Sequence, residues 1–400
     1  MMKKEIEICS GTGIISRVVF GDVGSGMPDC ALAECLAPYP EVFAVIDANL
    51  TDKSSAAGSV YAMLKERNVP SYAVEASEQA KNMETVLGIC SWLMDCNAGR
   101  DALVLAIGGG ITTDMTGFAA SVYKRGVRFA YVPTTLLAQV DASVGGKTGV
   151  NFEQYKNMLG VIRQPEFTYA DIRMLGSLPY RDFLSGAAEM LKTFIIEDNG
   201  NYAASAGVLK ELHSAAVQLC RSGECEFRKM TLSDVMVKAA VEWDVLANLV
   251  AESIKVKAGI VSRDQFEGGE RRKLNLGHTF AHAIETLARR QGDDLKHGEA
   301  VAIGIVMAAR LAGAEQAGPG SGIMAPRDCV LAARLETDFT ACGLPVRCPY
   351  DILGMAEVMS KDKKSVGGKV HFVLPCAVGD VRIVDLSATE ACAMLNDCKM

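Results

Sequence analysis

No apolar run in the 400-residue sequence is long enough to cross a bilayer. The longest, Ala102 to Ile107 and Ala300 to Met307, are broken by glycine or charge well short of the roughly 20 residues that a spanning helix needs. A transmembrane protein is therefore excluded, and no membrane partner is expected. The first residues, Met-Met-Lys-Lys-Glu-Ile-Glu-Ile, lack the apolar stretch and small-residue cleavage site of a secretory signal, so a cytoplasmic location is expected. There is also no Cys-x-x-Cys pair. The 13 cysteines, odd in number and scattered from Cys9 to Cys398, suit neither a disulfide framework nor a zinc ribbon and read as reduced, buried thiols. Nor is there an excess of positive charge. With 41 basic and 48 acidic residues the net charge is −7, which argues against nucleic acid as a partner, and any anionic ligand must be met by a local cluster of cations.

What the chain does have is apolar residues, at 49% against 22% charged, enough to offset the entropy of ordering a globular protein. Its length favours two domains over one. Up to about residue 170, short apolar strands alternate with amphipathic helices, the pattern of a parallel sheet wrapped by helices. Strands are expected at Phe43 to Ile46, Ser71 to Val74, Ala102 to Ile107 and Arg128 to Val132, with helices at Ser55 to Arg67, Glu84 to Asn97 and from the glycine turn to about Tyr123. Beyond Pro179 the spacing becomes helical, over Arg181 to Glu197, Met230 to Val261, His278 to Arg290 and Gly298 to Ala312. Gly318 to Pro326 reads as a surface loop, and Val370 to Leu374 with Val381 to Val384 as two short strands around a turn.

Three features carry chemistry. Gly108-Gly109-Gly110 follows a buried strand and opens a helix, where bare amides and the positive helix end suit a pyrophosphate. Asp47 and Asn49 just beyond the first strand, and Glu78 with Lys81 at another strand's end, support a dinucleotide. Gly145-Gly146-Lys147-Thr148 is not a Walker A loop, because Asp141 stands where its first glycine belongs. Of five histidines, His278, His282 and His297 fall within twenty residues, and the i, i+4 pair His278/His282 shares a helix face, which points to a metal site. Lastly, Lys147, Lys156, Lys192, Lys257, Arg271 and Lys363 stand singly among glycines, asparagines and apolar residues instead of on charged helix faces. Cations so placed suit a phosphorylated, carboxylated small molecule.

Four segments together carry a resemblance. Gly108-Gly-Gly-Ile-Thr-Thr-Asp114, Val132-Pro-Thr-Thr through Asp141 and Gly-Gly-Lys147-Thr-Gly-Val-Asn151, Leu274-Asn275-Leu-Gly-His278-Thr-Phe-Ala-His282-Ala-Ile-Glu285, and His297-Gly-Glu-Ala-Val-Ala-Ile-Gly304 are similar, in order and spacing, to 3-dehydroquinate synthases, members of the sugar-phosphate cyclase superfamily. The resemblance implies an α/β N-terminal domain with a Rossmann-like parallel sheet that binds NAD, over 1–178. A mainly α-helical domain that binds metal and substrate would follow over 179–400. It further implies conversion of 3-deoxy-D-arabino-heptulosonate 7-phosphate to 3-dehydroquinate and phosphate in the shikimate pathway, with NAD, a divalent metal (zinc, with cobalt as an option) and a homodimer.

By the same resemblance Glu189, His278 and His297 are the metal ligands, and His282, which spacing alone had grouped with them, serves proton movement. Asp47 and Asn49 fall to the NAD ribose, Glu78 and Lys81 to the adenosine half, Gly109 and Gly110 to the pyrophosphate. Asp114, Thr134, Thr135, Lys147 and Ser177 fall to the nicotinamide side. Asp141, Lys147, Asn157, Lys192, Lys257, Arg271, Asn275 and Lys363 would hold the substrate, with Arg125 and Lys156 near its phosphate. Thr113 and Ser177 depart from the family's usual glycine and threonine, and Ser205 to Lys229 is longer than usual. The rival readings are another sugar-phosphate cyclase, and a polyol dehydrogenase of the glycerol dehydrogenase type, for which the isolated cations would have no purpose.

Overall fold

A computed structural model describes residues 5–11, 13–21, 29–51, 55–153, 155–317, 330–360 and 369–397; Lys363 and the expected loop at 318–326 lie outside them. The chain divides into two compact units, Met1–Phe183 with Cys225–Phe266, and Leu184–Glu224 with Glu267–Met400.

The first unit opens with the antiparallel pair β1 (Glu5–Ser10) and β2 (Gly13–Phe20), followed by α1 (Asp29–Leu36) and β3 (Val42–Asp47). There follow α2 (Ala56–Glu66), β4 (Ser71–Val74), α3 (Met83–Asp95), β5 (Leu103–Gly108), α4 (Gly110–Val122) and β6 (Arg128–Pro133). A separate antiparallel hairpin, β7 (Lys147–Phe152) and β8 (Tyr155–Ile162), precedes β9 (Thr168–Ala170). The seven-stranded sheet runs β1-β2-β9-β6-β5-β3-β4, parallel apart from its first pair. Every residue of β5 is buried, as a strand covered on both faces requires. Val104 and Ala106 join one core with Phe43, Ile89 and Phe118, while Leu103, Leu105 and Ile107 join the other with Ala44, Leu64 and Val132. The helices start where the sequence supplies caps: the Ser55 and Asn82 side chains accept from Gly58 N and Thr85 N.

α5 (Tyr180–Ile196) carries the chain from one unit to the other, and α6 (Asn201–Arg221) belongs to the second. The chain then re-enters the first unit as α7 (Leu232–Ala239) and α8 (Trp243–Arg263), with α8 packed on β1. This differs from a single boundary near residue 178. The expected helix over Met230 to Val261 is in fact two, because Ala240 adopts a left-handed conformation (φ 54°) and stops the first. The second unit is completed by α9 (His278–Gln291), α10 (His297–Ala317), α11 (Val330–Ala341), α12 (Ile352–Ser360), the hairpin β10 (Val370–Ala377) and β11 (Asp380–Leu386), and α13 (Ala388–Asp397). No described helix is long and apolar enough to cross a membrane. Of the described cysteines Cys35, Cys342 and Cys392 are buried, Cys9 is exposed and the rest are half-buried, so the expectation of buried thiols holds only for some.

Candidate metal centre and dinucleotide turn

In the first unit the connections from β3 lead outward to β4 and back to β5, so the strand order reverses between β3 and β5. Ligands of open α/β sheets bind at such a switch, beyond the carboxyl ends of the strands. There β3 ends at Asp47 and β5 at Gly108. Asp47 Oδ1 accepts from Asn49 N and Nδ2 (3.0 and 3.1 Å). Gly109 precedes α4 and no side chain caps that helix, which leaves its amides to a ligand. The turn is bare because it is crowded: a Cβ on Gly109 would stand 3.1 Å from Thr135 Cγ2, and one on Gly110 3.1 Å from the Ala142 Cβ. These features fit a pyrophosphate. Thr134 is buried behind the turn, its N–H donating to Gly108 O, and Thr135 Oγ1 accepts from Ala138 N (3.1 Å) at a π turn, Ala138–Ala142, that carries Asp141.

Several of the expected site residues of this unit fall into two groups. Lys81, buried, donates to Asp114 Oδ2 and Asn157 Oδ1, both at 2.6 Å. Burial raises the Asp114 carboxyl, and the Lys81 ammonium offsets only part of the shift. Lys156 stands 3.5 Å from Glu78. In the second group Lys257 Nζ donates to the carboxylate and the backbone carbonyl of Asp141, each at 2.6 Å. Lys147, Ser177 and Arg125 are exposed, Arg125 in a turn where it and Lys124 both have positive φ (66° and 47°).

In the second unit one atom each of Glu189, His278 and His297 lies within 4.8 Å of the others. Glu189 comes from α5, and the two histidines open α9 and α10. Glu189 Oε1 is 3.6 Å from His278 Nε2 and 3.3 Å from His297 Nε2. Each ring is held from behind: His278 Nδ1 by Leu276 O (3.2 Å) and His297 Nδ1 by Glu285 Oε1 (3.4 Å). Such outer partners orient imidazoles toward a metal. Both Glu189 oxygens are buried and meet no donor in bonding geometry among the described residues, although Lys192 Nζ makes an ion pair at 2.5 Å. A buried carboxylate so placed, with two imidazoles, fits a catalytic divalent-metal site that keeps positions open.

Charge on these groups follows from their neighbours. Burial alone would raise the Glu189 carboxyl, but Lys192, His278 and His297 outweigh it and hold it well below its ordinary value. Burial and Lys192 push His278 well down, so it is neutral. Burial would lower His297 too, yet Glu285 and Glu189 push it up to about 10. The His282 ring packs edge-on to His278, with centroids 5.6 Å apart. Arg271 is buried, and Asn275 Nδ2 donates to Glu267 Oε1 (2.6 Å).

Glu285, Glu267 and Asn151 were not singled out as site residues from sequence. The signal for Glu285 was there, three residues after His282 and seven after His278 on the same helical face. For Glu267 the structure adds a positive φ of 61°, which no sequence pattern announces.

A nucleotide-type sheet with a bare glycine turn, and a His-His-carboxylate centre, define a class of enzymes that use a dinucleotide together with a metal ion. The sequence matches the family models for the 3-dehydroquinate synthase N-terminal region over residues 71–185 and C-terminal region over 186–365. The chain belongs to the 3-dehydroquinate synthase family. A relative from Acidithiobacillus ferrooxidans named 3-dehydroquinate synthase is 41% identical over 331 residues, covering 80% of this chain and 79% of its own. One of that name from Colwellia psychrerythraea is 37% identical and covers 82% of each chain. Among solved structures, ValA, a 2-epi-5-epi-valiolone synthase from Streptomyces hygroscopicus subsp. jinggangensis with NAD+ and Zn2+ bound, superposes with a TM-score of 0.74 at 28% identity, over 95% of this chain and 96% of that one. An iron-containing alcohol dehydrogenase shares the fold at a TM-score of 0.59 and 14% identity, over 98% of each chain.

Proposed function

We propose that the protein is a 3-dehydroquinate synthase, converting 3-deoxy-D-arabino-heptulosonate 7-phosphate to 3-dehydroquinate and phosphate within aromatic amino acid biosynthesis. The observation that carries this reading is the cluster of buried Glu189 with half-buried His278 and His297, in a chain 41% identical to relatives of that name. When bound, NAD would accept a hydride from a secondary alcohol of the substrate and later return it, and the divalent metal held by the three side chains would acidify the neighbouring hydroxyls.

The chain's own residues have the remaining tasks. Lys147, Lys156, Asn157 and Arg125 spread the charge of the departing phosphate. Lys257, fixed by Asp141, presents its ammonium in one orientation. Lys192, Arg271 and Asn275 hold the carboxylate and hydroxyls, Lys363 has the same task by the resemblance, and His282 moves protons. Asp47, Asn49, Glu78, Lys81, Gly109, Gly110, Asp114, Thr134, Thr135 and Ser177 hold the cofactor. A homodimer is part of the same proposal and rests on the resemblance, and a cytoplasmic location is proposed with it.

Because the hydride is returned, catalytic NAD should suffice for full phosphate release, with no growth of NADH absorbance. NADH accumulating one for one with product would instead favour the polyol dehydrogenase reading.

A further inference from the structure

Asn151 has no part in the proposed chemistry, yet its backbone and both ends of its side-chain amide are hydrogen-bonded. Its backbone N–H donates to Lys81 O (2.9 Å). Its side-chain Nδ2 donates to Glu78 O (3.2 Å) and to Glu78 Oε2 (3.0 Å). Its Oδ1 accepts from Asn157 N (3.0 Å). Lys81 Nζ in turn donates to Asn157 Oδ1 (2.6 Å), closing a ring that runs from Asn151 through Glu78, Lys81 and Asn157 and back. The ladder between β7 and β8 shifts register where Val150 pairs with Leu159 and Phe152 with Tyr155, so the single Asn151 faces a bulge of β8 that carries Lys156 and Asn157. Asn157 meanwhile has φ 50°, a conformation that a non-glycine residue keeps only when its surroundings hold it.

We propose that Asn151 is the positioning residue that locks the Glu78–Lys81 turn to the Lys156–Asn157 end of the hairpin, so that the cofactor and the phosphate group are bound interdependently. The inference rests on the reading above, in which Glu78 and Lys81 hold NAD and Lys156 and Asn157 hold phosphate. The chemistry requires an amide: one end must donate to a carboxylate while the other accepts from an N–H, and neither a carboxylate nor an apolar side chain does both. Asparagine at 151 therefore holds Asn157 in its strained conformation and keeps Glu78 beside Lys156 (3.5 Å). A ligand that orders either side also orders the other.

The test uses the full chain, with NAD and inorganic phosphate as probes and tryptophan fluorescence or calorimetry as readout. In the parent, saturating phosphate should tighten NAD binding about fivefold, within the usual range of coupling between sites. Asn151→Ala should weaken each probe about tenfold and abolish that linkage. The isosteric Asn151→Asp, which keeps the packing but sets a carboxylate against Glu78, should weaken both further. Loss of bulk stability alone would not remove linkage in folded protein, so retention of linkage in both variants overturns the proposal, as does parent-like affinity for both probes. Lys81→Met separates the premise from the inference. If NAD affinity is indifferent to Lys81, the assignment of this turn to the cofactor fails and the proposal with it. If NAD affinity depends on Lys81 but not on Asn151, the proposal alone fails.

Discussion

A proton and a metal ion compete for the same nitrogen of His297. Without a metal its imidazole stays protonated up to about 10, because the carboxylates of Glu285 and Glu189 outweigh the effect of burial. A metal binds only the neutral ring, so near neutral pH its uptake must expel that proton. His278 is already neutral and Glu189 already ionised there, so neither adds to the count. A reaction that releases a proton is favoured by raising the pH, and zinc affinity should climb by up to about tenfold per unit from about pH 7 toward about 10. Chelator competition at several pH values, with calorimetry in two buffers of different ionisation enthalpy to count the proton, checks this. A flat affinity over about pH 7 to 9 would refute it. The histidine cluster was legible at this scale because three of five histidines lie within twenty residues. Glu189 was not legible from spacing, since about ninety residues separate it from the histidines and only tertiary packing brings it 3.6 Å from His278. The i, i+4 rule proposed His282 beside His278, and their rings do touch, but that rule knows nothing of a third helix.

Among elements, the ligand-bearing helices of the second unit meet through glycine. Gly298, next to His297, lies so near α5 that a Cβ would come within 1.9 Å of Ser185 O, and its N–H donates to Ser185 Oγ (2.9 Å). Gly304 likewise faces Gly277 O, at 2.2 Å from a Cβ, and Gly277 itself has φ 77°, which lets α9 start where it does. Gly298→Ala must therefore push α10 off α5, carrying His297 away from Glu189. It should cost about 1–3 kcal/mol of stability and strip zinc from the purified protein. Gly207, exposed within α6 with nothing near its missing Cβ, should respond with the opposite sign: Gly207→Ala should stabilise by roughly 0.5–1 kcal/mol. Urea unfolding and metal analysis of the two variants test both, and a Gly298→Ala protein with full zinc and parent stability would contradict the packing argument. From β3 to β6 the strands and helices were readable to within a residue or two, since period and caps are local: Ser71 to Val74 is β4 itself; β2, α1 and β9 were not expected. The hairpin of β7 and β8 was not expected, because glycines and polar residues there hide the alternation and the pairing depends on a bulge.

For the molecule as a whole, length predicted two bodies but not how the chain is shared between them. No shift in composition marks residues 225–266, and the segment is helical like its neighbours; what returns it to the first unit is packing of α8 on β1, the π turn at Asp141 and the turn at Ile172–Leu175. Its contacts there include Lys257 to Asp141 at 2.6 Å, and Cys9 N to Ser262 Oγ at 3.0 Å. α8 also buries Leu246, Ile254, Ile260 and Val261 completely. Each such side chain contributes roughly 1.5–3 kcal/mol by its burial. Four of them match the order of a whole domain's stability, about 5–15 kcal/mol. A fragment of residues 1–178, the boundary suggested by sequence, should therefore fail to unfold cooperatively. A version that joins 1–183 to 225–266 by a short glycine-serine linker should succeed, for the ends lie side by side: Tyr180 N donates to Met230 O and Leu232 N to Leu178 O, both 2.9 Å. Urea titration followed by circular dichroism distinguishes them. A sigmoidal transition in the shorter fragment, comparable to that of the joined one, would mean that α8 is dispensable to the sheet and that the single boundary near residue 178 describes the folding unit after all.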